Sequence, residues 1–377
     1  MIYLAPLTSL RFFAAAMVVL MHARSMFKFE FIGESDLYAF AVPFFFVLSG
    51  FILMHRYGSG GSIKFGDFMK ARFSRLWPAH LFWTLAAIIL LPIGGAAGIR
   101  VGEGVFGWWP TLGLNLSLLH AWSPFRLHSY SFNGVSWSIS TEMMLYCFFP
   151  ILLPGIKKNW PWKILATLSL LVALTWVGTF FPEKSSAKNL NSTSFSYTFP
   201  LARVFEFCVG MVAWVFWDSL RMKVKEGVYN RNAFELAAFV VFLLVILVAD
   251  YYYHKALLVA QVLAYCALAV LLVSIATGGG CISKILSFRP LVYLGEISFS
   301  LYLSHQVIMR CIISVRGDYP LLKQLDGVGL FVFIFCVSLA ASIITFHLIE
   351  GPCRKMLMKA FSYRKDDGGT PPVAIYK

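Results

Sequence analysis

The chain has 377 residues, of which 59% are hydrophobic and only 13% are charged. Soluble domains carry about a quarter charged residues, so this chain has too little polar surface to form a soluble globule. The net charge of +14 does not indicate nucleic acid binding, because the basic residues lie in short loops between apolar segments, as in cytoplasmic loops. The seven cysteines are scattered, mostly within apolar segments and without C-x-x-C spacing, so they indicate neither a disulfide framework nor a zinc site.

Apolar segments of the length needed to cross about 30 Å of hydrocarbon follow one another with short connections. They predict an all-α polytopic membrane protein of about ten transmembrane helices. We expect one transmembrane domain over residues 1–355 and a flexible cytoplasmic tail over 356–377. The predicted spans are 7–27, 38–57, 79–97, 135–156, 162–181, 199–217, 233–250, 256–276, 290–314 and 327–349.

One further apolar segment, 105–122, is short and is interrupted by Pro110. If it does not cross, the loops on one side hold twice as many Lys and Arg residues as the loops on the other side. If it crosses, Lys157 and Lys158 move to the outer side and this bias weakens. The positive-inside rule therefore predicts a re-entrant segment near 105–122 and places both termini in the cytoplasm.

Ionisable residues inside predicted spans are costly, so each requires an explanation. Arg11 and His22 share the first span. Eleven helical steps return to within about 20° of the start, so both residues face one side, about 16 Å apart along the axis. They cannot touch, and we expect them to mark two depths on one cavity wall. The alternative is a snorkelling arginine and an interfacial histidine.

Arg72 and Arg75 lie in the segment FMKARFSRLWP, which we place in the first cytoplasmic loop. A spacing of three puts them on one face if this segment is helical. Two neighbouring guanidinium groups suit phosphate oxygens. The alternative is ordinary positive-inside charge with lipid headgroup contacts.

Two other segments carry polar candidates. Ser49 and Gly50 are small residues in PFFFVLSGFIL, where helix packing is the favoured role and ligand approach the alternative. The segment LGEISFSLYLSHQ contributes Tyr302 and His305 as substrate-binding or structural polar residues.

The predicted fourth span opens with SWSISTEMMLY, which contains Ser138, Glu142 and Tyr146. A carboxylate at position 142 would orient a histidine, bind a sugar hydroxyl or pair with a buried arginine. In the sixth span, Arg203 and Glu206 lie one turn apart. We expect these two to neutralise each other, which is a structural role.

Taken in order, these motifs resemble the acyltransferase-3 family of bacterial membrane acyltransferases, which modify surface polysaccharides and related glycans. The similarity runs from residue 6 to about 355. It rests on LTSLRFFAAAMVVLMHA, PFFFVLSGFIL, the Arg72-x-x-Arg75 segment, SWSISTEMMLYCFFP, RVFEFCVG, LGEISFSLYLSH and FHLIEGPCRK. Each motif alone is weak, and their order makes the resemblance specific.

The resemblance implies roles for particular residues. The family's basic residue followed by histidine matches Arg11 and His22, and its paired arginines, linked to the acyl-CoA donor, match Arg72 and Arg75. With Glu142, Arg11 and His22 are the predicted catalytic residues. His22 would activate the acceptor hydroxyl or be transiently acylated, and these alternatives stay open.

The expected activity is transfer of an acyl group, acetyl or succinyl, from cytoplasmic acyl-CoA to a hydroxyl of an exported or cell-surface polysaccharide or glycolipid. Acetyl-CoA would be a donor substrate, and no bound cofactor is expected. The expected location is the bacterial inner membrane. The alternative from another functional class is a polytopic transporter or flippase for lipid-linked glycans, which would also need buried charges along a path.

Overall fold

The structure, a computed structural model, describes most of the chain. The described residues are 4–29, 36–60, 63–95, 97–182, 190, 192, 194–225 and 230–363. Within these ranges the secondary structure is helical, and no β-strand is formed beyond isolated bridges. The predicted all-α class is therefore confirmed.

Ten helices of 16 residues or more correspond in order to the ten predicted spans. We number them α1 Ala5–Phe27, α2 Ala41–Tyr57, α3 Phe65–Leu90, α4 Trp137–Leu152, α5 Ile156–Gly178, α6 Val204–Lys225, α7 Arg231–Tyr252, α8 Leu257–Thr277, α9 Arg289–Val315 and α10 Gly327–Thr345.

Nine of the described helices are long and apolar enough to cross a membrane. The predicted span that does not meet this criterion is α9, although it has 27 residues. Polar side chains replace apolar ones along its buried face, including Ser298, Ser300, Ser304 and His305. These polar side chains lower the hydropathy of α9, and their burial against other helices keeps them away from lipid.

The third predicted span began too late and ended too late in the sequence. Helix α3 starts at Phe65 and runs through Pro78 without a break, so Arg72 and Arg75 lie on a helix and not in a loop. Long membrane helices tolerate an internal proline because neighbouring groups satisfy the freed carbonyl. The helix ends at Leu90, before Pro92, whereas the prediction continued it to residue 97.

Residues 97–136 form several short helices beside the long ones, with no helix of membrane-spanning length. The longest of these short helices, Trp108–Leu116, has nine residues and is about 14 Å long. The prediction that 105–122 does not cross is therefore supported by helix length. Arg310 on α9 anchors this segment, because its guanidinium donates to the carbonyl oxygens of Ala97 at 2.8 Å, Gly98 at 2.6 Å and Phe132.

The described part of the C-terminal region is helical. A π-helical turn, Phe346–Glu350, links α10 to the helix Gly351–Tyr363. Most of the predicted tail, residues 364–377, lies outside the described ranges. The division into domains and the side of the membrane on which each terminus lies stay predictions.

Close backbone contacts between helices set the position of the site. Helix α1 packs against α9, and α2 packs against α6. A Cβ atom at Gly210 would lie 1.8 Å from the Val47 carbonyl oxygen, and one at Gly295 would lie 1.9 Å from that of Thr8. Only glycine allows such approach, which is the usual way in which membrane helices pack closely. The predicted packing role of Gly50 agrees, since it faces the Phe207 backbone on α6.

We predict that Gly210→Ala destabilises the protein by about 1–3 kcal/mol, because the added methyl group meets backbone that cannot move aside locally. The measurement is the thermal unfolding midpoint in detergent micelles. Gly113→Ala is the matched control, since a Cβ atom there meets nothing within 4 Å. Equal midpoints for the two variants would contradict close packing of α2 against α6.

Candidate active site

A cavity of about 310 Å³ opens among α1, α2, α3, α4 and α9. Its lining brings together side chains that are far apart in the sequence and that were predicted separately. Eight of the twelve predicted site residues line it: Arg11, Ser49, Arg72, Arg75, Ser138, Glu142, Tyr146 and Tyr302. The other four, His22, Arg203, Glu206 and His305, do not.

One end of the cavity is cationic. Arg72 and Arg75 on α3 face it together with Arg11 on α1 and Arg56 near the end of α2. The Arg72 guanidinium lies 5.6 Å from the ring centroids of both Phe68 and Tyr146, a cation–π arrangement. Its Nε atom is buried without a hydrogen-bond partner. Buried polar atoms are normally paired, so this end is suited to an anionic ligand.

Arg11 and Arg75 also face the cavity without direct partners. Within the described ranges, no hydrogen bond or ion pair holds either guanidinium group. Glu142 and Glu350 are near enough to interact with both electrostatically. Sequence reasoning did not single out Glu350, whose carboxylate accepts from Ser300 Oγ at 2.8 Å. Only its position after the last span could have indicated it.

The Glu142 carboxylate is held by two hydroxyl groups on the cavity wall. Ser49 Oγ donates to it at 3.1 Å from α2, and the Tyr146 hydroxyl donates from one turn further along α4. The structure thus places Glu142 beside the arginines and joins it to no histidine. Of the three roles considered for this carboxylate, charge balance near buried arginines is favoured by its electrostatic interaction with Arg11 and Arg75.

The other end of the cavity carries Ser138 and Tyr302. Ser138 lies eight residues before Tyr146, which is about 12 Å along α4. The hydroxyl oxygens of Ser138 and Tyr302 are 2.8 Å apart, and the Tyr302 hydroxyl also donates to the Val135 carbonyl oxygen at 3.2 Å. The Tyr302 ring packs against the His305 ring with centroids 5.9 Å apart. This tyrosine therefore separates the cavity from a histidine.

His22 and His305 form a pair across α1 and α9. Nδ1 of His22 lies 2.9 Å from Nε2 of His305, and the rings stack with centroids 5.1 Å apart. His305 is completely buried, whereas His22 is partly exposed. Arg11 lies in the cavity and His22 lies beyond its other end, with no contact between them. Their predicted separation along α1 agrees with this arrangement.

Arg203 and Glu206 form a buried ion pair that is not part of the cavity lining. Nε of Arg203 donates to the Tyr197 carbonyl oxygen at 2.7 Å, and its guanidinium lies 4.4 Å from the Tyr197 ring centroid. These contacts are those of a structural ion pair that joins the start of α6 to the preceding turn.

A second histidine cluster lies under the outer segment, and sequence reasoning missed it. The His80 and His120 rings stack with centroids 5.8 Å apart, and His80 Nε2 donates to the Asn115 carbonyl oxygen at 3.0 Å. Burial, and then the neighbouring His80, lower the pKa of His120 to about 3, so this imidazole is neutral. Its Nε2 lies 3.2 Å from Ser136 Oγ. The cluster fastens the outer segment to α3 and holds His120 to Ser136, the residue directly before α4.

The fold and the cavity define a multi-pass membrane protein with a buried polar site that is cationic at one end and bounded at the other by Tyr302, behind which the histidine pair lies. A family model described as an acyltransferase domain matches residues 6–347 of this chain. The chain therefore belongs to the acyltransferase-3 family, and it is a membrane acyltransferase. The family predicted from the sequence motifs is confirmed.

Curated relatives are similar over almost the whole chain. Acyltransferase MdmB of Streptomyces mycarofaciens is 26% identical and covers 94% of this chain and 92% of its own length. YrhL of Bacillus subtilis, provisionally named a peptidoglycan O-acetyltransferase, and O-acetyltransferase OatA of Staphylococcus aureus are each 25% identical over 96% of this chain. The chain spans only 56% and 59% of the length of these two. No solved structure matches.

We predict that Glu206→Ala destabilises the protein by about 3–5 kcal/mol, because Arg203 then carries a buried charge without its carboxylate. The measurement is the unfolding midpoint in detergent, with Glu103→Ala at an exposed position as the control. Acyl transfer by the protein that stays folded should be unchanged. A loss of transfer at full stability would instead assign this pair to the reaction.

Proposed function

We propose that this acyltransferase moves an acyl group, acetyl in the first instance, from acyl-CoA to a hydroxyl of a cell-surface or exported polysaccharide or glycan. The observation that carries the proposal is the cavity itself. Among the described residues, Arg11, Arg72 and Arg75 in its lining have no hydrogen-bond or ion-pair partner. Tyr302 at its other end packs against His305 of the histidine pair. Two of the similar proteins are named O-acetyltransferases, which favours a hydroxyl acceptor.

In this proposal the donor enters with its phosphates at the cationic end. Arg72 and Arg75 bind phosphate oxygens, for which guanidinium groups are well suited. The pantetheine arm lies along the apolar wall formed by Phe45, Leu48 and Ile52. A cavity of about 310 Å³ accommodates this arm and leaves the nucleotide at the mouth. The thioester then lies near Ser138 and Tyr302.

The proposed transfer step uses His22 as general base. Nε2 of His22 takes the proton of the acceptor hydroxyl while that oxygen attacks the thioester carbon. The tetrahedral intermediate collapses, the carbon–sulfur bond breaks, and the CoA thiolate takes the proton back from His22. In this proposal the Tyr302 hydroxyl stabilises the oxyanion, and Arg11 lines the path of the donor. Transient acylation of His22 is the alternative first step. Its products are the same, the acylated acceptor and free CoA.

The donor is proposed to approach from the cytoplasm and the acceptor from the outer side. The basic loops mark the cytoplasmic side, where the arginine end of the cavity opens under the predicted orientation. The outer segment 97–136 lies at the other end and exposes aromatic surface there, since Trp109 is 77% exposed. Aromatic side chains suit contact with sugar rings as well as the membrane interface.

We predict that His22→Ala lowers acyl transfer by about 10²–10⁴-fold, the usual contribution of a positioned base. Membranes carrying the variant are supplied with radiolabelled acetyl-CoA and host surface glycan, and alkali-labile label on the glycan is counted at matched protein level. The exposed His254→Ala is the control. Normal labelling by His22→Ala would remove this residue from the mechanism. No label with the unaltered protein, and no thioester consumed, would favour a transporter.

We predict that Arg72→Ala and Arg75→Ala each raise KM for acetyl-CoA by about 10- to 100-fold, the loss expected for hydrogen bonds to a charged group. The same variants should use S-acetyl-pantetheine, which lacks the nucleotide phosphates, as well as the unaltered enzyme does. Lys323→Ala at an exposed position is the control. Equal losses with both donors would show that the arginines do not act by binding these phosphates.

A further inference from the structure

The hydrogen bonds of the histidine pair determine where its hydrogen atoms lie. Nδ1 of His305 is 3.3 Å from the Leu301 carbonyl oxygen, one helical turn earlier. A carbonyl oxygen only accepts, so Nδ1 of His305 carries the hydrogen. In a neutral imidazole the other nitrogen then accepts. Nε2 of His305 therefore accepts from Nδ1 of His22, 2.9 Å away.

The surroundings of His305 favour the neutral form. The side chain is completely buried, and its polar contacts are with the backbone of Leu301 and Tyr302 and with His22. No ion pair of the described residues joins it to a carboxylate. An imidazolium without a carboxylate is expensive to bury, so the donor–acceptor order from His22 to His305 follows.

The consequence for His22 concerns its second nitrogen. With its hydrogen on Nδ1, His22 carries an unshared electron pair on Nε2. This atom has no hydrogen-bond partner among the described residues. It is also not one of the fully buried, unpaired side-chain atoms, so its surface remains accessible. An accessible basic nitrogen is what a general base needs, and the other tautomer would present a hydrogen there instead.

We infer that His305 is a positioning residue that fixes His22 in the tautomer with a free Nε2. This inference rests on the proposed function, because it assigns the base in that reaction. His305 takes the place that a carboxylate occupies beside the histidine of serine hydrolases, where loss of the correct tautomer costs about 10⁴-fold in kcat. Glu142, for which orienting a histidine was one of three predicted roles, is bonded instead to Ser49 and Tyr146.

The kinetic test compares two substitutions at one position. His305→Leu removes the acceptor, and we expect kcat for acetyl transfer to fall by about 10²–10⁴-fold with KM for acetyl-CoA little changed. His305→Gln restores a carbonyl oxygen that can accept from Nδ1 of His22, and kcat should stay within about tenfold of the unaltered enzyme. Ser298→Ala, which removes a buried polar group elsewhere on α9, is the packing control. Equal kcat losses in the Leu and Gln variants, or none in either, would overturn the inference.

A second measurement does not depend on activity. Nitrogen-15 NMR of the ¹⁵N-histidine-labelled protein in lipid nanodiscs reports which nitrogen of each imidazole carries hydrogen. The His22 signals are assigned among eight histidines by their loss in His22→Asn. Hydrogen on Nδ1 of His22, with Nε2 unprotonated, is the expected result. Hydrogen on Nε2 would overturn the inference even if acyl transfer is observed. Absence of transfer by the unaltered protein would refute the proposed function while this spectrum still decides the tautomer.

Discussion

The energetic cost of charge inside a bilayer organises this protein. An ionised side chain at the centre of a membrane helix costs about 2.5–3.5 kcal/mol on insertion scales, so it needs a partner or a polar cavity. Arg203 has a partner in Glu206, and that pair lies apart from the cavity. Arg11, Arg72 and Arg75 have no hydrogen-bond or ion-pair partner in the part of the chain that the structure describes, and they face the cavity instead. A charged residue with an ion-pair partner therefore has a structural role, whereas the arginines that face the cavity are available to bind a ligand.

Glycine residues allow the helices that line the cavity to pack closely against their neighbours. Contact of α1 with α9 at Gly295, and of α2 with α6 at Gly210, brings these helices together at backbone distance. The same α1–α9 contact brings His22 to His305, although 283 positions separate them. One packing contact therefore controls both a cavity wall and the geometry of the histidine pair.

Hydropathy and motif order were sufficient to predict the helices and the family, because each signal is local or ordered along the chain. The predicted helix boundaries were wrong where local signals conflict, as in α3, where two arginines and Pro78 lie within a continuous helix.

Helix periodicity predicted the separation of Arg11 from His22 along α1. It did not give the rotation of one helix against another, which decides that His22 meets His305 and that Glu142 meets Ser49 and Tyr146. The buried pair His80 and His120 was missed for the same reason, since its members come from different elements.

The cost of burying charge also explains why the partner of His22 is a histidine and not a carboxylate. A carboxylate at position 305 would be fully desolvated, and its attraction to His22 would exist only while that imidazole is charged. A neutral imidazole provides the same acceptor for the Nδ1 hydrogen at a smaller desolvation cost. It also withholds the negative charge that would stabilise a protonated His22, so a proton taken at Nε2 is held weakly. Under the proposed mechanism that favours its rapid return to the departing thiolate. The carboxylates lie instead at Glu142 and Glu350, where the arginines offset their charge.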